Sequence, residues 1–292
     1  MSSFPGAFNE YDKLGKVAVR GPLQALSSDA KIDGEWQALN WHSRPDFGAA
    51  RREFEAFAAI LRRAGAELVE LPSAEGLTLD SLYARDALVV TPRGMVWPRM
   101  GKEARRRETE VNGEVLAGIG LPTAGRIAGS GMLEGGDLVW LDRHTLIAGI
   151  GYRTNLEGVR QLQALAGPDV RIEWFDMPHF KGTADVFHLM SCLSPLDRDL
   201  ALVYRPLLAA RLVEFLEARG IAFVDVPDAE FPTMGVNVLA LGPRHAVMVA
   251  GNPETARRME KAGVRVEIIE GEHLCRKGEG GPTCLTRPLT RG

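Results

Sequence analysis

Apolar and polar positions change rhythm in a regular way along the 292-residue chain. Stretches with apolar residues at helical spacing end at a glycine, and a short β-rich run follows each. Phe54, Phe57, Ala58 and Leu61 form one such stripe, stopping at Gly65 before AELVEL. A second helix ends near Gly120, with LPTAGRI as a weaker strand after it. Val159, Leu162 and Ala166 lead to Gly167, a Pro-Asp turn and VRIEW. Leu208, Leu212, Phe215 and Leu216 lead to Gly220 and IAFVDV, and GNPETARRMEKA leads to Gly263 and VRVEII. Glycine suits each stop, because the residue past a helix commonly takes a left-handed backbone.

Hairpin-like segments lie between these units, each made of two apolar runs around a polar turn. They read RDALVVTPRGMVWP, GGDLVWLDRHTLIAG, HLMSCLSPLDRDLALVY and VNVLALGPRHAVMVAG. A fifth is split between TCLTRPLTR near residue 290 and GKVAVRGP near residue 18. The residues that open the hairpins, Asp86, Asp137, His188, Val236 and Cys284, are 51, 51, 48 and 48 positions apart. A generic α/β protein with evenly spaced elements would not hold this step over five units. The pattern predicts an α/β fold of five ββαβ modules closed into a propeller-like ring with pseudo-fivefold symmetry. Residues 1–292 then form a single catalytic domain. A ring hides its sheet edges and brings the first strand of every module to one axis. The reactive side chains expected at one end of that axis are Asp86, Glu134, Asp137, His188 and Cys284.

Composition narrows the function classes. Apolar content of 45% with 25% charged residues is ordinary for a globular protein. A formal charge of −3 without a basic block leaves no electrostatic footprint for nucleic acid. The start carries no basic, apolar signal-like segment, and no apolar run approaches membrane-spanning length. Cys192, Cys275 and Cys284 are odd in number and contain no CxxC pair. They read neither as a disulfide framework nor as a zinc site, and fit a reducing cytoplasm. No glycine fingerprint for a nucleotide follows a strand, so neither a metal nor an organic cofactor is expected.

Cys284 follows Gly278, Gly280, Gly281 and Pro282, so the loop before it is expected to bend sharply and approach a ligand. A thiol needs a nearby cation or base to react near neutral pH. His188 can pair with a thiolate and move protons, and Glu134 can orient that imidazole. A cysteine among several carboxylates points to a cationic, electrophilic carbon. Guanidinium is the natural candidate, being planar, permanently charged and matched to carboxylates. The expected partner is thus a small guanidino compound.

The segments ARDALVV, MGKEARRRE, LEGGD, YRTN, FHLMS and GGPTCLT, in this order, resemble the guanidino-group-modifying (pentein) superfamily. The resemblance spans Val17 to Pro288 and implies a five-bladed ββαβ propeller. It includes dimethylargininases, arginine and agmatine deiminases, and amidinotransferases. It implies that Cys284 is the nucleophile, His188 the general acid/base and Glu134 its supporting carboxylate. Asp86 would grip the guanidinium. Arg105 and Arg153 would clamp a substrate α-carboxylate, and Asp80 would sit near the α-amino group. Arg105 lies beside Arg106 and Arg107, so a solvated helix face is an equal reading of it. Arg153 could bridge elements, Asp80 could cap a turn, and Asp137 reads as structural.

Two departures bear on the substrate. Deiminases of the superfamily carry an aspartate two residues after the catalytic histidine, where this chain has Met190. Met190 is expected to leave apolar room beside the guanidinium, which favours an N-substituted arginine. Arg85 stands where many dimethylargininases have glutamate, and the Arg85-Asp86 pair is more deiminase-like. The first reading is hydrolysis of an N-substituted arginine to citrulline and an amine. Arginine deimination, amidino transfer and a non-catalytic ligand-binding ring are the alternatives. Segment 20–47, with Trp36, Trp41, His42, Pro45 and Phe47, falls outside the repeat. It reads either as a substrate lid or as packing on the outside of the ring. The chain is compatible with a homodimer.

Overall fold

The computed structural model describes residues 5–183, 185 and 187–292. Its strands form five separate three-stranded sheets. Each blade contains an antiparallel pair followed by a parallel third strand that returns after a helix. Blade two holds Val89–Thr91, Gly94–Trp97 and Thr123–Arg126, so the weak LPTAGRI signal is a real strand. Blades three, four and five open with Leu138–Asp142, Leu193–Asp197 and Leu239–Gly242. Blade one joins Thr286–Arg291 to Leu14–Val19, with Glu67–Glu70 as its third strand.

The connecting helices run Phe47–Arg63, Arg106–Gly118, Leu156–Ala166, Ala210–Ala218 and Pro253–Lys261. Their stripes bury Phe57 and Leu61, Val159 and Leu162, and Leu212 and Leu216 against the sheets. Leu208 lies before its helix, which starts at Ala210 after a short turn containing Pro206. The five glycines that follow these helices, Gly65, Gly120, Gly167, Gly220 and Gly263, all have φ between +74° and +93°. A side chain would be strained at those angles, which explains the glycine period in the sequence.

Hydrogen bonds at the mouths of the inner strands close the ring. Arg85 N donates to Cys284 O (3.1 Å) and Gly135 N to Asp86 O (2.9 Å). Leu189 N donates to Asp137 Oδ1 (3.0 Å), Ser194 Oγ to Val236 O (2.7 Å) and Thr283 Oγ1 to Val238 O (2.8 Å). Every neighbouring pair of blades is thereby tied at the level of the reactive residues. Asp137 serves as one of these ties. Among the described residues, no helix is long and apolar enough to cross a membrane.

Candidate active site

The same end of the axis gathers Asp86 from blade two, Glu134 from blade three, His188 from blade four and Cys284 from blade one. Asp80, Asp86, Lys102, Arg105, Arg153, His188 and Cys284 line one cleft of about 30 Å³. Local sequence explains the close approach. A Cβ on Gly136 would lie 2.6 Å from both Asp86 Oδ1 and His188 Nδ1, so the second glycine of LEGGD is required there.

Glu134 is fully buried behind the imidazole. Its Oε2 lies 2.7 Å from His188 Nε2, while Oε1 accepts from Lys102 N at 3.0 Å and faces Arg153 Nη1 at 3.5 Å. Burial alone would raise this carboxyl, but the His188 hydrogen bond and the nearby cations hold it down at about 2. Burial likewise disfavours the charged form of His188. Asp86, Asp137 and the Glu134 hydrogen bond outweigh it and push the imidazole up to about 9. At neutral pH His188 is therefore an imidazolium donating Nε2–H to Glu134. Its Nδ1 faces Asp86 Oδ1 at 3.8 Å. Burial raises the Asp137 carboxyl to about 6.

Cys284 is half-buried, whereas Cys192 and Cys275 are buried in the core. All three are free thiols. Burial, and then the Asp86 charge, push the Cys284 thiol up to about 11, against the Asn237 hydrogen bond and Arg85. Asn237 Nδ2 donates to Cys284 Sγ at 3.0 Å, and Asn237 Oδ1 accepts from Thr283 N at 3.1 Å. The sequence reading missed Asn237. It stands one residue after Val236, the opening position of the fifth module, and that proximity was its only signal. The glycine loop before Cys284 lines the cleft through Gly278 and Gly280 and packs closely on protein walls behind it. A Cβ on Gly280 would lie 2.2 Å from the Tyr83 ring, and one on Gly281 2.7 Å from Asn237.

Arg105 is the buried member of the arginine run, while Arg106 and Arg107 pair with Glu103 and Glu110 at the surface. Its Nε and Nη2 grip Glu108 at 2.8 Å each, Nη2 also donates to Tyr83 O (2.7 Å), and Nη1 holds Asp86 Oδ2 (2.6 Å). Those bonds anchor Asp86 through Arg105, which itself lines the cleft. Lys102, three residues earlier, is the cation beside Asp80, at 2.6 Å. Arg153 also lines the cleft, and its recorded contacts, to Glu134 and to Asp185 O, are both long at 3.5 Å. Asp80 accepts from Trp41 Nε1 at 2.9 Å. Leu39 and Asn40 of the N-terminal segment line the cleft, while Trp36, Trp41 and Phe47 pack into the core beneath.

Met190 is not brought to this cleft. It is buried and, together with Arg85 and Glu10, lines a separate small cavity between the inner strands of the blades. The two positions that bear on substrate choice in the sequence thus line the same small cavity and not the cleft that holds Cys284. Neighbouring residues Arg85 and Asp86 simply point into different spaces.

The ligand atoms of Asp86, Glu134 and His188 lie within 4.8 Å of one another, close enough to hold a cation. Arg105 on Asp86, with Arg153 and the imidazolium beside Glu134, already balances their charge. Asp86 Oδ1 differs from the rest. It is buried and has no hydrogen-bond partner. A buried carboxylate oxygen left open beside a thiol is a place for a planar donor.

The arginine deiminase family model matches residues 79–220 and 208–291. The chain belongs to this family. Over 93% of its length it is 32% identical to an N(G),N(G)-dimethylarginine dimethylaminohydrolase of Streptomyces coelicolor, covering 95% of that protein. It is 29% identical to the Pseudomonas aeruginosa protein of the same name, over 83% of this chain and 89% of that one. The solved structure of a P. aeruginosa dimethylargininase complexed with citrulline superposes with a TM-score of 0.76 at 24% identity. That match covers 96% of this chain and 100% of the other. The five-bladed ring is the pentein fold of this family.

Proposed function

We propose that the protein hydrolyses a C–N bond of arginine or an N-substituted arginine through a covalent thiouronium on Cys284, releasing citrulline and an amine or ammonia. The observation that carries this reading is the buried Asp86 Oδ1, left without a hydrogen-bond partner, on a residue that lines one cleft with Cys284 and His188. Asp86, held by Arg105, receives two N–H groups of the guanidinium and fixes its plane. Arg153 and Lys102 supply positive charge for the α-carboxylate, and Asp80 supplies negative charge for the α-amino group. The kinship with dimethylargininases supports a substituted arginine as the first substrate to try.

The electrostatics support substrate-assisted activation. With a thiol pushed up to about 11, roughly one molecule in ten thousand carries a thiolate at pH 7 in the empty site. A guanidinium docked on Asp86 offsets the very charge that raises the thiol. A unit charge about 4 Å away at an effective dielectric of 20 is worth about 4 kcal/mol, enough to raise the thiolate fraction about a thousandfold. The thiolate then adds to the guanidinium carbon. The imidazolium at His188 donates its Nδ1 proton to the departing nitrogen, and the C–N bond breaks. Neutral His188 next takes a proton from water, which attacks the thiouronium carbon, and the thiol is released with the ureido product.

Incubation with arginine, monomethylarginine and asymmetric dimethylarginine, reading citrulline, ammonia and amine, tests the proposal. Citrulline with stoichiometric amine is expected. Absence of any ureido product from all three sinks it. Cys284→Ser should lower turnover at least about a thousandfold while leaving the circular-dichroism spectrum and melting curve in place.

A further inference from the structure

The cleft at Asp86 is tight, yet a second cavity of about 340 Å³ lies next to it, the two sharing Glu279. Asn237, whose amide holds Cys284 Sγ, forms part of its wall. So does Ser191, whose hydroxyl accepts the backbone N–H of His188 at 3.1 Å. The cavity therefore adjoins one residue bonded to the nucleophile and one bonded to the acid. The nitrogen that departs from a guanidinium held by Asp86, and whatever it carries, must face His188, whose Nδ1 lies 3.8 Å from Asp86 Oδ1.

The walls show what fits. Phe180, Phe187, Phe231 and Met234 give it one apolar wall, while charged residues such as Lys181, Asp185 and Arg276 line the rest. Phe231 is stacked on Tyr204 with ring centroids 4.0 Å apart, so this wall is braced from behind. Glu279, held by His42 at 2.6 Å, stands on the boundary between the cavity and the cleft. Met234 and Glu279 both hold left-handed backbone, at φ +66° and +60°, although neither is glycine. Such strain concentrates where a ligand site dictates the backbone. Size decides between substituents. An apolar cavity of about 150 Å³ already accepts benzene, so a methyl or dimethylamino group would leave most of this space unfilled.

We infer that this cavity is a subsite for the Nω-substituent of the guanidine, and that it takes an apolar, preferably aromatic, group larger than methyl. The inference rests on the hydrolase reading above and adds the class of leaving amine. Cys284 forms the C–S bond, and the bond from the guanidinium carbon to the substituted nitrogen breaks with the His188 proton. The departing benzylamine-like amine leaves past Glu279. With water supplying the ureido oxygen, the sum is substituted guanidinium plus water giving citrulline plus the substituted ammonium, such as benzylammonium.

Turnover of arginine, Nω-methyl-, Nω-propyl- and Nω-benzyl-L-arginine, read as citrulline and released amine, tests the subsite. The benzyl compound is expected to exceed the methyl compound in kcat/KM by about tenfold or more, the scale at which pocket filling discriminates. Met234→Trp, which fills the cavity, should lower the benzyl-to-methyl ratio at least tenfold. Phe231→Ala, which removes the braced wall, should lower it as well. Because the ratio is taken within one preparation, partial misfolding of a variant cancels. Methylarginine turned over at least as well as benzylarginine by the wild type, or a ratio unmoved by both variants, overturns the subsite alone. No ureido product from any of the four overturns the hydrolase reading, and the subsite with it.

Discussion

At the catalytic end of the ring, Asp86 and Glu134 are set against Arg105, Arg153 and an imidazolium. The axis beneath has the opposite balance. There Arg85, Arg287 and Arg291 crowd together, with Glu10 facing Arg85 Nη1 at 3.1 Å. Burial and the neighbouring Arg85 charge lower the Arg287 guanidinium to about 9, and burial lowers Arg291 to about 10. Arg287 also spends two donors on Arg85 O. The acidic end leaves one carboxylate oxygen, Asp86 Oδ1, unpaired in the cleft, while the basic axis turns part of its donors onto the protein's own backbone and leaves Arg85 Nη2 and Arg291 Nε and Nη2 unpaired away from it. Adjacent residues, Asp86 and Arg85, thus belong to a binding surface and to a structural plug.

The sharpest way to break this contrast is Asp86→Asn. Turnover should fall at least about a hundredfold, since the planar grip and its charge are lost. The His188 imidazole should titrate below its present value of about 9, because the leading charge that raises it is gone. An NMR titration of a ring-labelled sample reads this directly, and an unchanged His188 would refute the electrostatic account. Glu10→Gln probes the basic axis. Loss of a buried ion-pair partner should cost about 3 kcal/mol in chemical denaturation, with less effect on KM than Asp86→Asn. A larger loss in catalysis than in stability would mean that the two regions are not separate.

pH separates them further. His188 has a raised folded-state value, so its contribution to stability is fully present below its unfolded value near 6.5. That contribution is lost as pH rises through about 9. kcat, which reports the substrate complex, should begin to fall below that window, because a guanidinium docked on Asp86 also offsets the leading charge that raises His188, and should drop about tenfold per pH unit once the proton needed by the leaving amine is gone. Glu134, depressed to about 2, contributes stability above its unfolded value near 4.5 and loses it as pH falls toward 2. A kcat that keeps rising above pH 9 would remove His188 as the acid. The smallest expected effect belongs to Met190→Leu. This swap nearly conserves volume in the axial cavity and should change kcat/KM less than about threefold. A large shift in substrate preference would move Met190 back to the guanidinium.

The ring was legible because its period is written in two independent signals, glycine stops and apolar hairpins. Asp86, His188 and Cys284 were legible as a set because equivalent positions of a closed ring must converge. What spacing does not encode is the direction of a side chain at a strand mouth, where one position separates the cleft from the axis. Met190, expected beside the guanidinium, lies at the axial cavity for that reason. Asn237 was passed over because an amide beside an apolar opening residue carries no reactive signature. Lys102 was hidden by the three arginines that follow it, although its position at the cleft needs only a short turn before Arg105.

The pairing of Lys16 with Thr290 closes the first blade across 274 positions of sequence. The other four blades form from neighbouring stretches of chain, whereas this one waits for the longest loop to be drawn shut. Cys284 enters the strand that makes this closure, so the thiol meets His188 and Asp86 only when the circle is complete. Reactivity of that sulfur toward a cationic thiol reagent during refolding would therefore time the last step of folding. Until then the molecule holds its parts without being able to use them.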